Sequence, residues 1–148
     1  MLQYAKSNQN QRSNVIEAQQ QEFIVAAKDI VNICRGERTF KRRWMGKFGA
    51  MPMICCLLWN RIDPFETMPD GVHKKHLLWA LLFLRVYDTE ENNAQNVGRV
   101  DEKTYRVWSF RFVEAISYLE SSVVRQLKPF SALFIVHNIP ALNSFNSC

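Results

Sequence analysis

The chain has few residues that interrupt regular structure. Among its 148 residues are only five glycines and five prolines, which excludes a collagen-like repeat and a linker-like sequence. The four cysteines, at positions 34, 55, 56 and 148, lack the spacing of a disulfide framework and form no Cys-x-x-Cys motif. We therefore expect reduced thiols in an intracellular compartment.

Long hydrophobic segments are also missing. The longest apolar runs, residues 51–59 and 77–84, are much shorter than the ~20 residues that a membrane-spanning helix needs. The first ten residues are polar and rich in Gln and Asn, so they lack the apolar core of a signal peptide. The sequence therefore predicts a soluble protein that has no membrane as a partner.

What remains is the composition of a globular protein, with 47% hydrophobic and 22% charged residues. The length fits one domain, which we predict to be an all-α helical bundle over residues 14–120. Residues 1–13 are polar, and we expect them to be disordered. In the C-terminal tail, residues 121–148, Pro129 should end the helical run and an apolar stretch at 130–136 is of strand type.

Helical spacing of apolar residues and capping residues place the first elements. Asn14 and Glu17 resemble a capping box, and the pattern that follows predicts an amphipathic helix over residues 15–34. Pro52 indicates the first turn of a short buried helix over 53–61, although Met51 before it is a poor cap. Residues 73–87 are apolar on nearly all sides, which is typical of a core helix.

A pair of helices follows. Thr89 can cap a short helix over 90–96, residues 97–100 read as a tight turn, and Asp101 can cap a second helix that begins at Glu102. The spacing of Ala94 and Gly98 suits a helix-turn-helix unit, but any hairpin of two helices also needs a small residue and a glycine there. The second helix should turn an apolar stripe inward, made of Tyr105, Trp108, Phe112, Ile116 and Leu119, and leave Lys103, Arg106 and Arg111 outside.

The positive charge is concentrated in the first third of the chain. Residues 1–50 contain nine basic and four acidic residues, which accounts for the whole net charge of +5. Most of these basic residues lie in the segment RGERTFKRRWMGK at 35–47, where Phe40 and Trp44 alternate with them. We interpret this segment as a loop that follows a nucleic-acid backbone. A nuclear-import signal or a plain solvated surface remains an alternative.

Three pieces of the sequence resemble a known family. They are Phe48, Gly49 and Pro52 around a proline-started helix, the run KHLLWALLFLRVY at 75–87, and VDEKTYRVW at 100–108. In these pieces the chain resembles the N-terminal helical region of DDE-superfamily endonucleases, the Harbinger-like eukaryotic transposases, over residues 42–120. The resemblance implies a helix-turn-helix-like unit that binds transposon DNA.

The catalytic part of that family has no counterpart in the sequence. A DDE active site needs three carboxylates that hold two divalent metal ions, but no Asp follows Asp101, and only Glu114 and Glu120 follow Glu102. We therefore expect a truncated transposase with no catalytic residue, metal site or cofactor. A zinc site at His73, His76 and the adjacent Cys55 and Cys56 is not predicted, because adjacent helical side chains point to different faces.

The sequence thus favours a nuclear, transposase-derived module that binds double-stranded DNA without cutting it. A second copy of the chain or a full-length transposase is a further candidate partner. The alternative is a non-enzymatic protein-interaction domain, or a relic with no selected function. In it Phe40, Trp44 and the apolar residues 130–136 serve packing or contact a protein partner. The predicted DNA-binding residues are Arg38, Lys41, Arg42, Arg43 and Lys47 on phosphates, with Arg99, Lys103 and Arg106 at the helix pair.

Overall fold

The computed structural model describes the backbone of residues 2–31 and 37–135 and the side chains of 9–28, 30, 31 and 38–122. These residues form α-helices and no strand, which confirms the all-α prediction. In chain order the helices are α1 (Leu2–Val31), α2 (Glu37–Phe48), α3 (Pro52–Ile62), α4 (Pro64–Thr67), α5 (Lys74–Arg85), α6 (Glu90–Asn96) and α7 (Glu102–Ile135).

Helix α5 is the centre of the bundle. Its residues from His76 to Leu82 are all buried, and α1, α2, α3, α6 and α7 each pack against it. A helix that is apolar on all sides is stable only where other helices cover every side. The apolar run in the sequence therefore correctly indicated a core helix.

Aromatic rings connect the outer helices around this centre. The ring of Trp59 on α3 lies edge-on to Phe23 of α1, with centroids 6.0 Å apart, and is stacked on Phe112 of α7 at 5.9 Å. Tyr105 of α7 lies 5.8 Å from Trp79 of α5, and its hydroxyl donates to the carbonyl of Trp79. Such pairs add to the free energy gained by burial, so α1, α3, α5 and α7 share one core.

The short helix α3 extends one residue beyond its predicted bounds of 53–61 at each end. Pro52 occupies its first turn, and Met51 at the cap position makes no side-chain hydrogen bond to the helix. At the other end Asp63 adopts a left-handed conformation with φ 51°, and its N–H donates to the carbonyl of Trp59. This conformation ends α3, and Pro64 then starts the single turn of α4.

The predicted disorder of residues 1–13 is wrong for residues 2–13, because α1 begins at Leu2. The segment lacks an inward apolar stripe, but it also contains no Gly or Pro that would stop a helix. A helix that is already nucleated gains one hydrogen bond for each residue added, so it can extend outward from the packed part of α1. The predicted end of this helix at residue 34 lies outside the described residues.

The predicted break at Pro129 and strand at 130–136 are also wrong as far as residue 135, because α7 continues through Pro129 to Ile135. A proline inside a helix removes its own N–H and strains the preceding turn, but the hydrogen bonds on either side can keep the helix going. The rest of the predicted irregular tail, residues 136–148, is not among the residues described. Of the helices in the described ranges, none is long and apolar enough to cross a membrane.

Candidate nucleic-acid interface

Residues 37–47 of the basic segment belong to the helix α2, so the predicted loop is wrong for them. Residues 35 and 36 lie outside the described residues. The aromatic residues Phe40, Trp44 and Phe48 of α2 recur every four residues and therefore share one face. Trp44 is fully buried, its ring lies 5.5 Å from that of Phe40 and 4.8 Å from that of Phe48, and its Nε1–H donates to the carbonyl of Ala50 at 2.6 Å. These rings pack in the core, so the ring of Trp44 is not available to stack on bases.

The other face of α2 is basic. Arg38 and Arg42 lie one helical turn apart and are exposed, as are Lys41 and Arg43, while Lys47 is half-buried. None of these five side chains is within ion-pair distance of an acidic group, as far as the described side chains go. Four of the five residues that we predicted to contact phosphates are therefore exposed on one helix.

The C-terminus of α2 has a further cation nearby that the sequence analysis missed. Gly49 follows the helix with φ 67°, and a Cβ at this position would lie 3.4 Å from Cδ of Arg85. Arg85, in the last turn of α5, is exposed. The negative end of a helix dipole favours a nearby cation, so Arg85 extends the positive surface of α2 at this end.

The α6–α7 connection has the predicted caps. The Thr89 hydroxyl accepts a hydrogen bond from the backbone N–H of Asn92 at 3.2 Å, and a carboxylate oxygen of Asp101 accepts one from Thr104 at 3.1 Å. Between them Gly98 has φ 113° and Arg99 φ 57°. Arg99 is exposed, so its side chain projects from a tight left-handed turn.

The start of α7 offers less positive charge than the sequence suggests. Lys103 and Arg106 are both exposed, but the guanidinium of Arg106 donates to the carboxylates of Glu90 on α6 and Glu102 on α7. The hydrogen bond to Glu90 is the main reason why the pKa of Arg106 is raised. Arg106 therefore ties α6 to α7, and its charge is compensated locally.

The inward stripe of α7 is confirmed. Tyr105 and Phe112 are fully buried, and the other three predicted members, Trp108, Ile116 and Leu119, pack against the core. Arg111, predicted to face outward, is exposed with its guanidinium 5.2 Å from the ring centre of Trp108.

The two predicted groups of basic residues lie on different elements, and the helices α2, α6 and α7 all pack against α5. The first group is on α2, which packs on α5 and α1. The second group is on the α6–α7 connection and α7, and both helices pack on α5 as well. Their relative position is therefore fixed by α5.

A pocket that the sequence analysis missed lies beside the α6–α7 connection. Lys28 of α1 and Lys75 of α5 line it, and both are exposed. These two lysines are far apart in sequence and have no local pattern in common, so only the tertiary structure brings them together. The other walls come from Ala26, Ile30, Trp79, Gln95, Asn96, Val97, Gly98 and Val100.

The cysteines and histidines considered for zinc have other environments. Burial and the neighbouring Cys56 raise the pKa of Cys55 to about 12, which keeps its thiol protonated. Nδ1 of His76 accepts a hydrogen bond from the backbone N–H of His73 at 3.0 Å, and the His76 ring is stacked on Trp108 at 4.3 Å. Among the side chains that the structure describes, no group of three or more His, Cys, Asp or Glu could hold a metal ion.

Comparisons with known proteins give no match. No family model, curated protein or solved structure matches the chain. The resemblance to Harbinger-like transposases therefore depends on the sequence pieces at residues 42–120 alone.

Proposed function

We propose that this chain is a non-enzymatic, transposase-derived module that binds double-stranded DNA through the basic face of α2. One observation carries the proposal. Arg38, Lys41, Arg42 and Arg43 are exposed on a helix whose opposite face is buried, and no acidic group among the described side chains pairs with them.

A rigid basic helix suits a phosphate backbone better than a flexible arm would. Because Trp44 and Phe48 are anchored in the core, the cations next to them are already positioned and less conformational entropy is lost on binding. Each phosphate that is neutralised releases counterions and contributes about −0.9 to the slope of log affinity against log salt. Binding by α2 should therefore be strongly salt-dependent.

In this proposal the start of α7 gives a weaker second contact. Asp101 and Glu102 lie at its N-terminus and repel phosphate, and Arg106 is engaged by Glu90 and Glu102. Lys103, exposed and without an ion-pair partner among the described side chains, is therefore the best candidate to reach base edges. Arg99 lies on the connection before it.

The proposed role is binding without strand cleavage, in the nucleus. Binding without cleavage is supported by the absence of Asp from residues 102–148, because a DDE site needs Asp carboxylates to hold its metal ions. Incubation of the pure protein with supercoiled plasmid and Mg²⁺ should leave the plasmid intact. Magnesium-stimulated nicking that co-purifies with the protein would contradict this part of the proposal.

The main test compares two double variants that remove the same charge. Arg38→Gln with Arg42→Gln should reduce the salt slope of duplex binding by about 2, at about 0.9 for each phosphate that is no longer neutralised. Arg12→Gln with Arg61→Gln removes two exposed arginines from α1 and α3 and should leave the slope as in the wild type. Fluorescence anisotropy with a labelled duplex at several salt concentrations measures both slopes.

Two results of this experiment would reject the proposal. The first is a wild-type protein that ignores duplex DNA even at low salt. The second is an equal change of slope in both double variants, which would indicate unspecific attraction by net charge.

A protein-interaction domain is the second candidate, and one surface favours it. On the outward side of α3, Met53, Ile54 and Leu57 are 42%, 45% and 52% exposed. Adjacent exposed apolar side chains of this kind can mark a contact with a protein. Indifference to DNA together with association that rises with protein concentration in sedimentation experiments would support this candidate instead.

A further inference from the structure

We propose that the pocket between α1, α5 and the α6–α7 connection binds one phosphate group of the DNA backbone. This inference depends on the proposed function, because duplex DNA supplies the phosphate. It adds a contact that is separate from the basic face of α2 and that includes neither of the groups of basic residues predicted from the sequence.

Two lysines that line the pocket have no ion-pair partner among the described side chains. Lys28 and Lys75 are exposed, and neither forms an ion pair with any side chain that the structure describes. Among the lining residues whose side chains the structure describes there is no carboxylate. Two lysines at one concave site, with no described carboxylate in its lining, attract a phosphate by their combined positive charge.

The adjacent residue Lys74 has different contacts from Lys75. Lys74 precedes Lys75 in α5, but its Nζ is paired with a carboxylate oxygen of Glu22 at 2.5 Å and lies 5.3 Å from the ring centre of Trp59. Its charge is therefore compensated. Lys75 instead lies with Nζ 5.6 Å from the ring centre of Trp79, which holds the ammonium at the pocket wall without neutralising it.

The remaining walls provide polar groups and open space. Gln95 and Asn96 line the pocket at the end of α6, and side-chain amides are hydrogen-bond donors. At Gly98 no heavy atom would lie within 4 Å of an added Cβ, so the backbone of the turn can be approached closely. The indole N–H of buried Trp79 has no hydrogen-bond partner among the described residues.

The pocket is placed to support the contact proposed for α7. Gly98 and Val100 belong to its wall, and Lys103 follows in the first turn of α7. A phosphate held by Lys28 and Lys75 would bring the DNA backbone next to this turn. Lys103 would then be close to the groove beside that phosphate.

The first experiment measures duplex binding by Lys28→Gln with Lys75→Gln. Without the two lysines one phosphate is no longer neutralised, so the salt slope should be reduced by about 0.9. The matched control is Arg12→Gln with Arg61→Gln, which removes the same charge. Arg12 is on the same helix as Lys28 but roughly 24 Å away along its axis, at 1.5 Å per residue.

The second experiment uses inorganic phosphate as the probe and the indole N–H of Trp79 as a local reporter. In ¹H–¹⁵N spectra, phosphate should shift this resonance saturably in the wild type and not in Lys75→Gln. Trp79→Phe identifies the resonance. The duplex titration then shows whether the phosphate of DNA occupies the same place, because it should shift the same resonance.

The outcomes separate the two proposals. If Lys28→Gln with Lys75→Gln binds DNA like its control while Arg38→Gln with Arg42→Gln is weakened, the phosphate pocket is rejected and the proposed function stands. If the wild type binds no duplex DNA, both are rejected, whatever free phosphate does. A weakened Lys28/Lys75 variant together with a Trp79 resonance that responds to DNA supports the pocket.

Discussion

His76, Cys55 and Trp44 are residue types common in functional sites, and each is buried here in a way that determines its chemistry. Burial raises the pKa of Cys55, so its thiol is a poor nucleophile at neutral pH. Trp44 uses both its ring and its N–H inside the protein. For these residues the structure favours packing and capping over binding.

His76 leads to a prediction about stability and pH. Burial, followed by the charges of Lys75 and His73, lowers the pKa of His76 from 6.5 to about 3. Between these values the unfolded chain takes up a proton that the folded protein excludes, so the free energy of unfolding is highest above pH 6.5 and falls as the pH falls toward 3. The slope should be at most about 1.4 kcal/mol per pH unit.

Urea denaturation between pH 7 and pH 5 measures this dependence before most carboxylates titrate. His76→Phe should flatten it, because the titrating group is gone. His73→Gln provides the comparison and should change the dependence less than His76→Phe does, because His73 is the smallest of the three causes of the lowered pKa of His76. An unchanged pH dependence in His76→Phe would show that another group is responsible.

At the scale of elements, the sequence predicted the caps of α6 and α7 but not the helix α2. The caps at Thr89 and Asp101 were readable because capping depends on residues three positions apart. The helical state of α2 was not predicted, although Phe40, Trp44 and Phe48 have helical spacing, because the basic residues between them favoured an interpretation based on charge. The apolar spacing was the signal that could have found α2.

Two glycines give a matched prediction on element geometry. Gly98 has φ 113° whereas Gly46 is helical, and an added Cβ meets no atom within 4 Å at either position. Gly98→Ala should therefore destabilise the protein by about 1–2 kcal/mol through backbone strain alone. Gly46→Ala should stabilise it by about 0.5–1 kcal/mol, because alanine favours a helix.

Chemical denaturation of both variants shows whether each substitution raises or lowers the free energy of unfolding. The crowding of a new methyl group cannot explain a difference, since both sites are open. A loss of stability in Gly46→Ala would mean that α2 is not a regular helix in solution. An unchanged stability in Gly98→Ala would mean that the turn can adopt another conformation.

At the scale of the whole molecule, one aromatic core links helices that are distant in sequence. Phe112 is fully buried and stacked on Trp59, whereas Phe110, two positions earlier on α7, is 44% exposed and contacts Phe83 at the surface. The bundle should therefore unfold in one cooperative transition. Its free energy of unfolding should depend strongly on Phe112 and much less on Phe110.

The two phenylalanines can be compared by substitution with alanine. Phe112→Ala should cost about 3–5 kcal/mol through reduced burial and a cavity, and Phe110→Ala about 0.5–1.5 kcal/mol, the value of an aromatic pair. Urea denaturation followed by far-UV circular dichroism and by tryptophan fluorescence measures both. Equal losses, or wild-type transitions that do not coincide, would contradict a single shared core.

The sequence by itself determined the all-α class, the core helix α5, the start of α3 and the caps of α6 and α7. These features depend on the spacing of neighbouring residues, which is visible in a linear pattern. It did not place the helix start at Leu2 or the passage of α7 through Pro129, because helix propagation beyond a packed region leaves no apolar signal.

Only the tertiary structure decided which cations have free charge. It paired Arg106 with Glu90 and Lys74 with Glu22, and it brought Lys28 and Lys75 to one pocket whose described lining contains no carboxylate. Electrostatic interactions fall off with distance in space and not along the chain. The candidate site therefore depends on how the helices pack, which composition and periodicity do not specify.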